Sequence, residues 1–169
     1  MHLMNEGLYL RQLSITDGED IYQLLQQIEA NEHEFKNDAF GMDCSEFKEW
    51  LELQDNWANN RCLPEGYVPQ TIYWLFQNDT PVGFGKIRHR LNEHSRIIGG
   101  NIGYAIGKPY RGHGYGTELM KLLVIKADEL GVTEKLATVE KDNPASKKAI
   151  ERAGGKLVKE TEERWYFEF

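Results

Sequence analysis

The chain has 169 residues, 27 acidic against 20 basic side chains, and a formal net charge of −7. That length lets about two thirds of the unfolded surface enter one core, so a single domain over 1–169 is expected without disulfide or metal support. The charge argues against a nucleic-acid binder, which needs a basic face to displace counterions, and suits a cationic partner such as an amine. Cys44 and Cys62 lack CxxC spacing, Met1 to Leu10 has no basic segment leading into an apolar block, and no apolar run approaches a membrane span. The expectation is a reduced, cytoplasmic protein with no membrane contact and no metal.

Leu8 to Leu13 alternates as a first strand. Thr16 with Glu19 has the form of a capping box, and Ile21, Leu24, Leu25 and Ile28 recur at helical spacing to about Ala30. Asn31 to Asp43 is polar and aperiodic. A second helix from Ser45 to Trp57 carries Phe47, Trp50, Leu51 and Trp57 on one side, with Asp43 and Glu46 suited to its start. That tryptophan stripe reads either as core or as an aromatic wall for an amine through cation–π contact.

Asn59 to Gln70 is a loop bearing proline and glycine, followed by a strand at Thr71 to Phe76 and a turn at Asn78-Asp79-Thr80-Pro81. The return strand, Val82 to Arg88, runs on into His89 to His94. Gly99-Gly100 breaks the chain before a strand at Asn101 to Ile106. There Ile102, Tyr104 and Ile106 share one face, while Asn101, Gly103 and Ala105 share the other and leave room for a ligand against the backbone.

Next comes Pro109-Tyr110-Arg111-Gly112-His113-Gly114-Tyr115-Gly116-Thr117, three glycines at alternate positions between an extended run and a helical pattern. Glycine opens backbone conformations closed to other residues, and the first turn of a helix offers unpaired N–H donors at its positive end. Such a turn suits a phosphate, with Arg111 adding charge at the entrance. The spacing is neither the dinucleotide Gly-x-Gly-x-x-Gly nor a triphosphate loop ending in Gly-Lys-Ser/Thr. Leu119, Leu123, Ala127 and Leu130 then mark a helix ended by Gly131, and Leu136 to Val139 is a buried strand. This strand-loop-helix-strand order implies a parallel pair with a right-handed crossover. Asn143 as N-cap and Pro144 at the first position open the last helix, in which Ala149, Ile150 and Ala153 face inward until Gly154-Gly155. Lys156 to Val158 and Trp165 to Phe167 close the chain as strands.

The pattern Arg111-x-x-Gly114-x-Gly116 resembles the acyl-coenzyme A pyrophosphate loop of the GCN5-related N-acetyltransferases (GNAT), and Asn143-x-x-Ser146 resembles that family's second coenzyme segment. Arg88 to Asn92, Gly99 to Tyr104 and Asp142 to Ser146 are also similar to a bacterial subgroup of predicted acetyltransferases. The resemblance covers nearly the whole chain. It implies an α+β acetyltransferase fold, a mixed central sheet of about six to seven strands flanked by about four helices, and acetyl-coenzyme A as co-substrate.

It further implies that main-chain groups of Tyr104, Ala105 and Ile106 pair with the pantetheine arm. The amides of Gly112, His113, Gly114, Tyr115, Gly116 and Thr117, with Arg111, would hold the pyrophosphate, and Asn143 and Ser146 would meet the carrier at the second segment. A neutral primary amine, from a small molecule or a peptide amino group, would attack the thioester directly, which needs a base for the amine and an acid for the departing thiolate. The tyrosine that many members use as acid falls at Ile150 here. Candidate bases are Glu140, at the end of a strand where ligands approach, and His89, with Glu93 and His94 beside it; His113 and Tyr115 are expected to point outward. Arg88 and Asn92 are the first choices for positioning the acceptor. A homodimer is common among relatives. The alternative function is a non-catalytic acyl-coenzyme A binding or sensing module.

Overall fold

The computed structural model describes residues 6–169. In chain order they form β1 (Leu8–Gln12), α1 (Glu19–Gln26), β2 (Asn31–Glu32), β3 (Phe35–Lys36), α2 (Cys44–Ala58), β4 (Gln70–Gln77), β5 (Thr80–Arg88), α3 (Glu93–Ile97) and β6 (Ile102–Ile106). A 3₁₀ turn at Lys108–Tyr110 leads to α4 (Tyr115–Glu129), then β7 (Leu136–Glu140), α5 (Pro144–Arg152), β8 (Lys156–Glu160) and β9 (Arg164–Glu168).

The centre of the molecule is β4. Every residue from Thr71 to Phe76 is buried, because the strand is covered on both faces. Its alternate residues enter different cores: Tyr73 and Leu75 join Leu119, Leu123 and Ile150, while Ile72, Trp74 and Phe76 join Ile21, Leu25 and Trp50. The layers are therefore α4 with α5, a sheet, and α1 with α2. Trp50, 5% exposed with its ring 6.4 Å from that of Trp74, is core. Trp57 is only half-buried, against Tyr67.

The seven longer strands do not form one mixed sheet. Four run in the order β1-β4-β5-β6 and three in the order β7-β9-β8, and every pairing within them is antiparallel. No parallel ladder joins β6 to β7. Asn101 takes its place at the base of the two strands: its amide donates to the Leu136 carbonyl at 2.9 Å, and its side-chain oxygen accepts the Leu136 amide at 2.7 Å. Gly100, at φ 63°, presses its backbone so closely on Leu136 that a Cβ would lie 2.1 Å from that carbonyl oxygen. Beyond this junction the strands part, and the gap between their C-terminal halves is the cleft described below.

Other elements depart from expectation for local reasons. Gly18, not Thr16, precedes α1, with no side-chain cap, and the helix stops at Gln26. Asp17 instead accepts from the Ser14 amide and the Trp74 indole, at 2.8 and 2.7 Å. The run after β5 turns into α3, because Asn92 and Ser95 form a reciprocal capping box; it brings the α-helices among the described residues to five. Leu130 lies past the end of α4 and is 42% exposed. The aperiodic stretch holds the β2–β3 hairpin, whose tip residues His33 and Glu34 both take positive φ, as a two-residue primed turn requires. This hairpin covers the small face of β6: the Phe35 ring stands 3.4 Å from where a Cβ on Gly103 would be.

Candidate active site

At the top of β6 the chain passes through the 3₁₀ turn and two left-handed glycines, Gly112 at φ 79° and Gly114 at φ 83°, before α4 begins at Tyr115. None of the backbone amides from Gly112 to Thr117 is hydrogen-bonded among the described residues. Nothing lies within 4 Å of a Cβ built on Gly112. Six consecutive free donors stand at the positive end of a 15-residue helix, an arrangement chemically suited to an anion. Gly116 has a different task, since its φ is ordinary. A Cβ there would come within 2.9 Å of the Tyr104 ring, so this glycine exists for packing.

Arg111 is committed elsewhere. Its Nε donates to the Ile106 carbonyl at 3.0 Å, and its guanidinium pairs with Glu32 of the hairpin at 2.7 Å. It ties the loop to both β6 and β2. His113 is exposed, with Nδ1 3.0 Å from the Tyr110 carbonyl, whereas Tyr115 is half-buried against the core and does not point outward.

The cleft between β6 and β7 has one wall made by α4 and α5. Asn143 caps α5 by accepting the Ser146 amide at 3.3 Å, and the Ser146 hydroxyl meets that of Tyr104, also at 3.3 Å. Ala105 and Ile106 lie beside Tyr104 on β6, which is an edge strand of its sheet. Burial raises the Tyr104 pKa, so the phenol keeps its proton.

The opposite wall is the β2–β3 hairpin, which reaches from Arg111 to the end of β7. At its tip Glu34 forms an ion pair with the buried Arg164 of β9, and His33 Nδ1 lies 3.4 Å from Asp142. Glu140, half-buried at the last position of β7, joins this group. Burial first, then the charges of Glu34 and Asp142, raise its pKa, while the hydrogen bond from Arg164 lowers that of Glu34. Glu140 is thus a carboxylate poised to accept a proton closer to neutrality. His33, Glu140 and Asp142 offer ligand atoms within 4.8 Å of one another, a grouping that no local spacing in the sequence announces.

The remaining candidates stand apart from Glu140. His89 shares a 2.8 Å hydrogen bond with Thr71, and burial followed by the charge of Arg90 lowers its pKa. Arg88 is held by the Gly100 carbonyl at 2.9 Å. Asn92 caps α3 and donates to the Gly66 carbonyl at 3.2 Å. All three sit near Ile102, at the opposite end of β6 from the glycine loop, about 13 Å of strand away. Sequence reasoning missed Lys86. Its ammonium lies 4.8 Å over the Phe35 ring and donates to the Lys36 carbonyl, and burial, then Arg88, brings its pKa down to about 8.

The structure is a layered α+β domain with a glycine turn opening a helix beside a split between two sheets. Residues 7–156 match the family model described as an acetyltransferase (GNAT) domain, and the chain belongs to that family. Comparison with curated proteins finds no significant match. Among solved structures, the fold is similar to that of the ribosomal-protein alpha-N-acetyltransferase RimL in complex with coenzyme A, with TM-score 0.71 and 14% identity over 98% of this chain and 94% of that one. It is also similar to a GNAT-family acetyltransferase from Streptococcus pneumoniae (TM-score 0.63, 17% identity, 96% and 98% covered). A third is the Campylobacter jejuni N-acetyltransferase PseH in complex with acetyl coenzyme A (TM-score 0.60, 14% identity, 96% and 97% covered). No helix is long and apolar enough to cross a membrane among the described residues.

Proposed function

We propose that this chain transfers an acetyl group from acetyl-coenzyme A to a primary amine by direct attack, with Glu140 as the base. The observation that carries the reading is the run of unpaired amides from Gly112 to Thr117, opening onto a cleft whose other side ends, on β7, in Glu140. The amides hold the diphosphate, the free edge of β6 at Tyr104, Ala105 and Ile106 lines the pantetheine arm, and the start of α5 at Asn143 and Ser146 borders it. An alkylamine is mostly protonated at neutral pH, so a carboxylate with a raised pKa removes a proton better than an ordinary one. The carboxylates of Glu140 and Asp142 beside the hairpin tip favour a cationic acceptor, a small amine or a peptide amino group.

Two measurements test this. Coenzyme A should raise the melting temperature with the logarithm of its concentration above Kd while ATP and NAD do not, because only a ligand of the folded state stabilises it. With acetyl-coenzyme A and a panel of amines, thiol release should exceed hydrolysis. Stabilisation by coenzyme A with no turnover on any amine would leave a binding module instead.

A further inference from the structure

Direct attack on a thioester forms a C–N bond, breaks the C–S bond and leaves a thiolate that needs a proton inside the cleft. Resting on the acetyltransferase reading, we infer that the Tyr104 hydroxyl supplies that proton, with Ser146 holding the hydroxyl in place.

Tyr104 is in the middle of β6, and its ring lies under the first turn of α4, on the backbone of Gly116. From there its hydroxyl crosses the gap to α5 and meets Ser146. Ser146 and Ile150 are four residues apart and so share one helix face, and Ile150, fully buried, has no proton to give. The phenol therefore bridges β6 to the start of α5 next to the glycine turn, where the carrier's arm would enter the cleft. Its placement is built from three sides: Gly116 makes room for the ring, Asn143 fixes the start of α5, and Ser146 offers the partner.

The chemistry favours the phenol over its neighbour. A phenol ionises near pH 10 and a thiol near 8.5, close enough for a hydrogen bond to the developing thiolate to become a transfer, whereas an aliphatic hydroxyl is a far weaker acid. Burial guarantees that the group is protonated when the carrier arrives. The 3.3 Å separation from Ser146 is long for O–H···O, where about 2.7–2.8 Å is usual, so the phenol gives up little by turning to a sulfur atom. After transfer the phenolate regains its proton from water when the cleft empties.

The decisive variant is Tyr104→Phe, which keeps the ring on Gly116 and removes only the hydroxyl. Coenzyme A titrations by thermal shift should match wild type. The thiol of bound coenzyme A, followed by thiolate ultraviolet absorbance against pH, should ionise at higher pH in the variant, because a hydrogen-bond donor to the thiolate is gone. On an accepted amine, kcat should fall about 10²-fold with little change in either KM, as for loss of one general acid. Ser146→Ala should give a smaller loss in the same direction. An unchanged thiol titration together with an unchanged kcat overturns the assignment of Tyr104. If no amine is accepted, the thiol titration decides alone. Failure of wild type to bind coenzyme A overturns the acetyltransferase reading and this assignment with it.

Discussion

The seam between β4 and β5 and the gap between β6 and β7 show what one chain does with paired and unpaired strands. Along the first, eight residue pairs run from Gln70↔Arg88 to Gln77↔Thr80 with one register shift between Leu75 and Phe76, and the side chains between the strand ends are mostly buried. Along the second, backbone contact is confined to the Asn101–Leu136 junction, and beyond it stand Tyr104, Ser146, Glu140 and the hairpin tip. Where ladder bonds are complete, a ligand finds nothing to hold. Where they stop, main-chain groups and titratable side chains are left with unfilled capacity, and chemistry can be placed there at little cost to the fold.

The contrast can be broken most forcefully at the closed seam. Trp74→Ala empties a site with 0% exposure and orphans the Asp17 contact, so unfolding free energy should drop by about 3–5 kcal/mol in urea titration. Coenzyme A should still bind whatever fraction remains folded. At the open gap, Glu140→Gln should lower kcat by about 10²–10⁴-fold while the protein stays folded.

The two halves of that second prediction carry opposite signs. Because the folded-state pKa of Glu140 is raised, its ionisation disfavours the native state once the pH exceeds the ordinary carboxylate range; the amide variant should therefore be slightly more stable at neutral pH. For the same reason the wild-type rate should climb with pH through the raised pKa, and loss of stability in the variant would count against the burial argument.

Asn101→Ala tests the hinge between the two regions. It removes the acceptor of the Leu136 amide and the donor to the Glu134 carbonyl, and should cost about 1–3 kcal/mol in chemical denaturation. The smallest stability effect is expected at Gly114→Ala. A left-handed residue with a Cβ costs about 1–2 kcal/mol, and the displaced start of α4 should weaken coenzyme A stabilisation in the melting assay.

Much of this architecture is legible in local signals. The Asp43 cap of α2, the Asn143-Pro144 opening of α5, the β4–β5 hairpin and the glycine turn each depend on residues within a few positions of one another. Propensity and spacing report such short-range physics directly. The hairpin at His33-Glu34 escaped because its turn uses left-handed residues other than glycine or asparagine. The parallel pair was expected because a strand, loop, helix and strand in sequence usually pair, and nothing in the order of elements reveals that a buried asparagine and a left-handed glycine join these strands only at their base.

The sequence by itself determined the family of the fold, the position of the glycine turn and the presence of a carboxylate at the end of β7. Only tertiary structure decided that Arg111 serves Glu32, that Gly116 serves Tyr104, that Glu34 and Asp142 raise the pKa of Glu140, and that the Tyr104 and Ser146 hydroxyls meet. Apart from Asp142, two residues from Glu140, these contacts join residues from 12 to 106 positions apart in the chain. Their energies depend on burial and mutual distance, quantities that a linear string of side chains does not contain until the layers close around them.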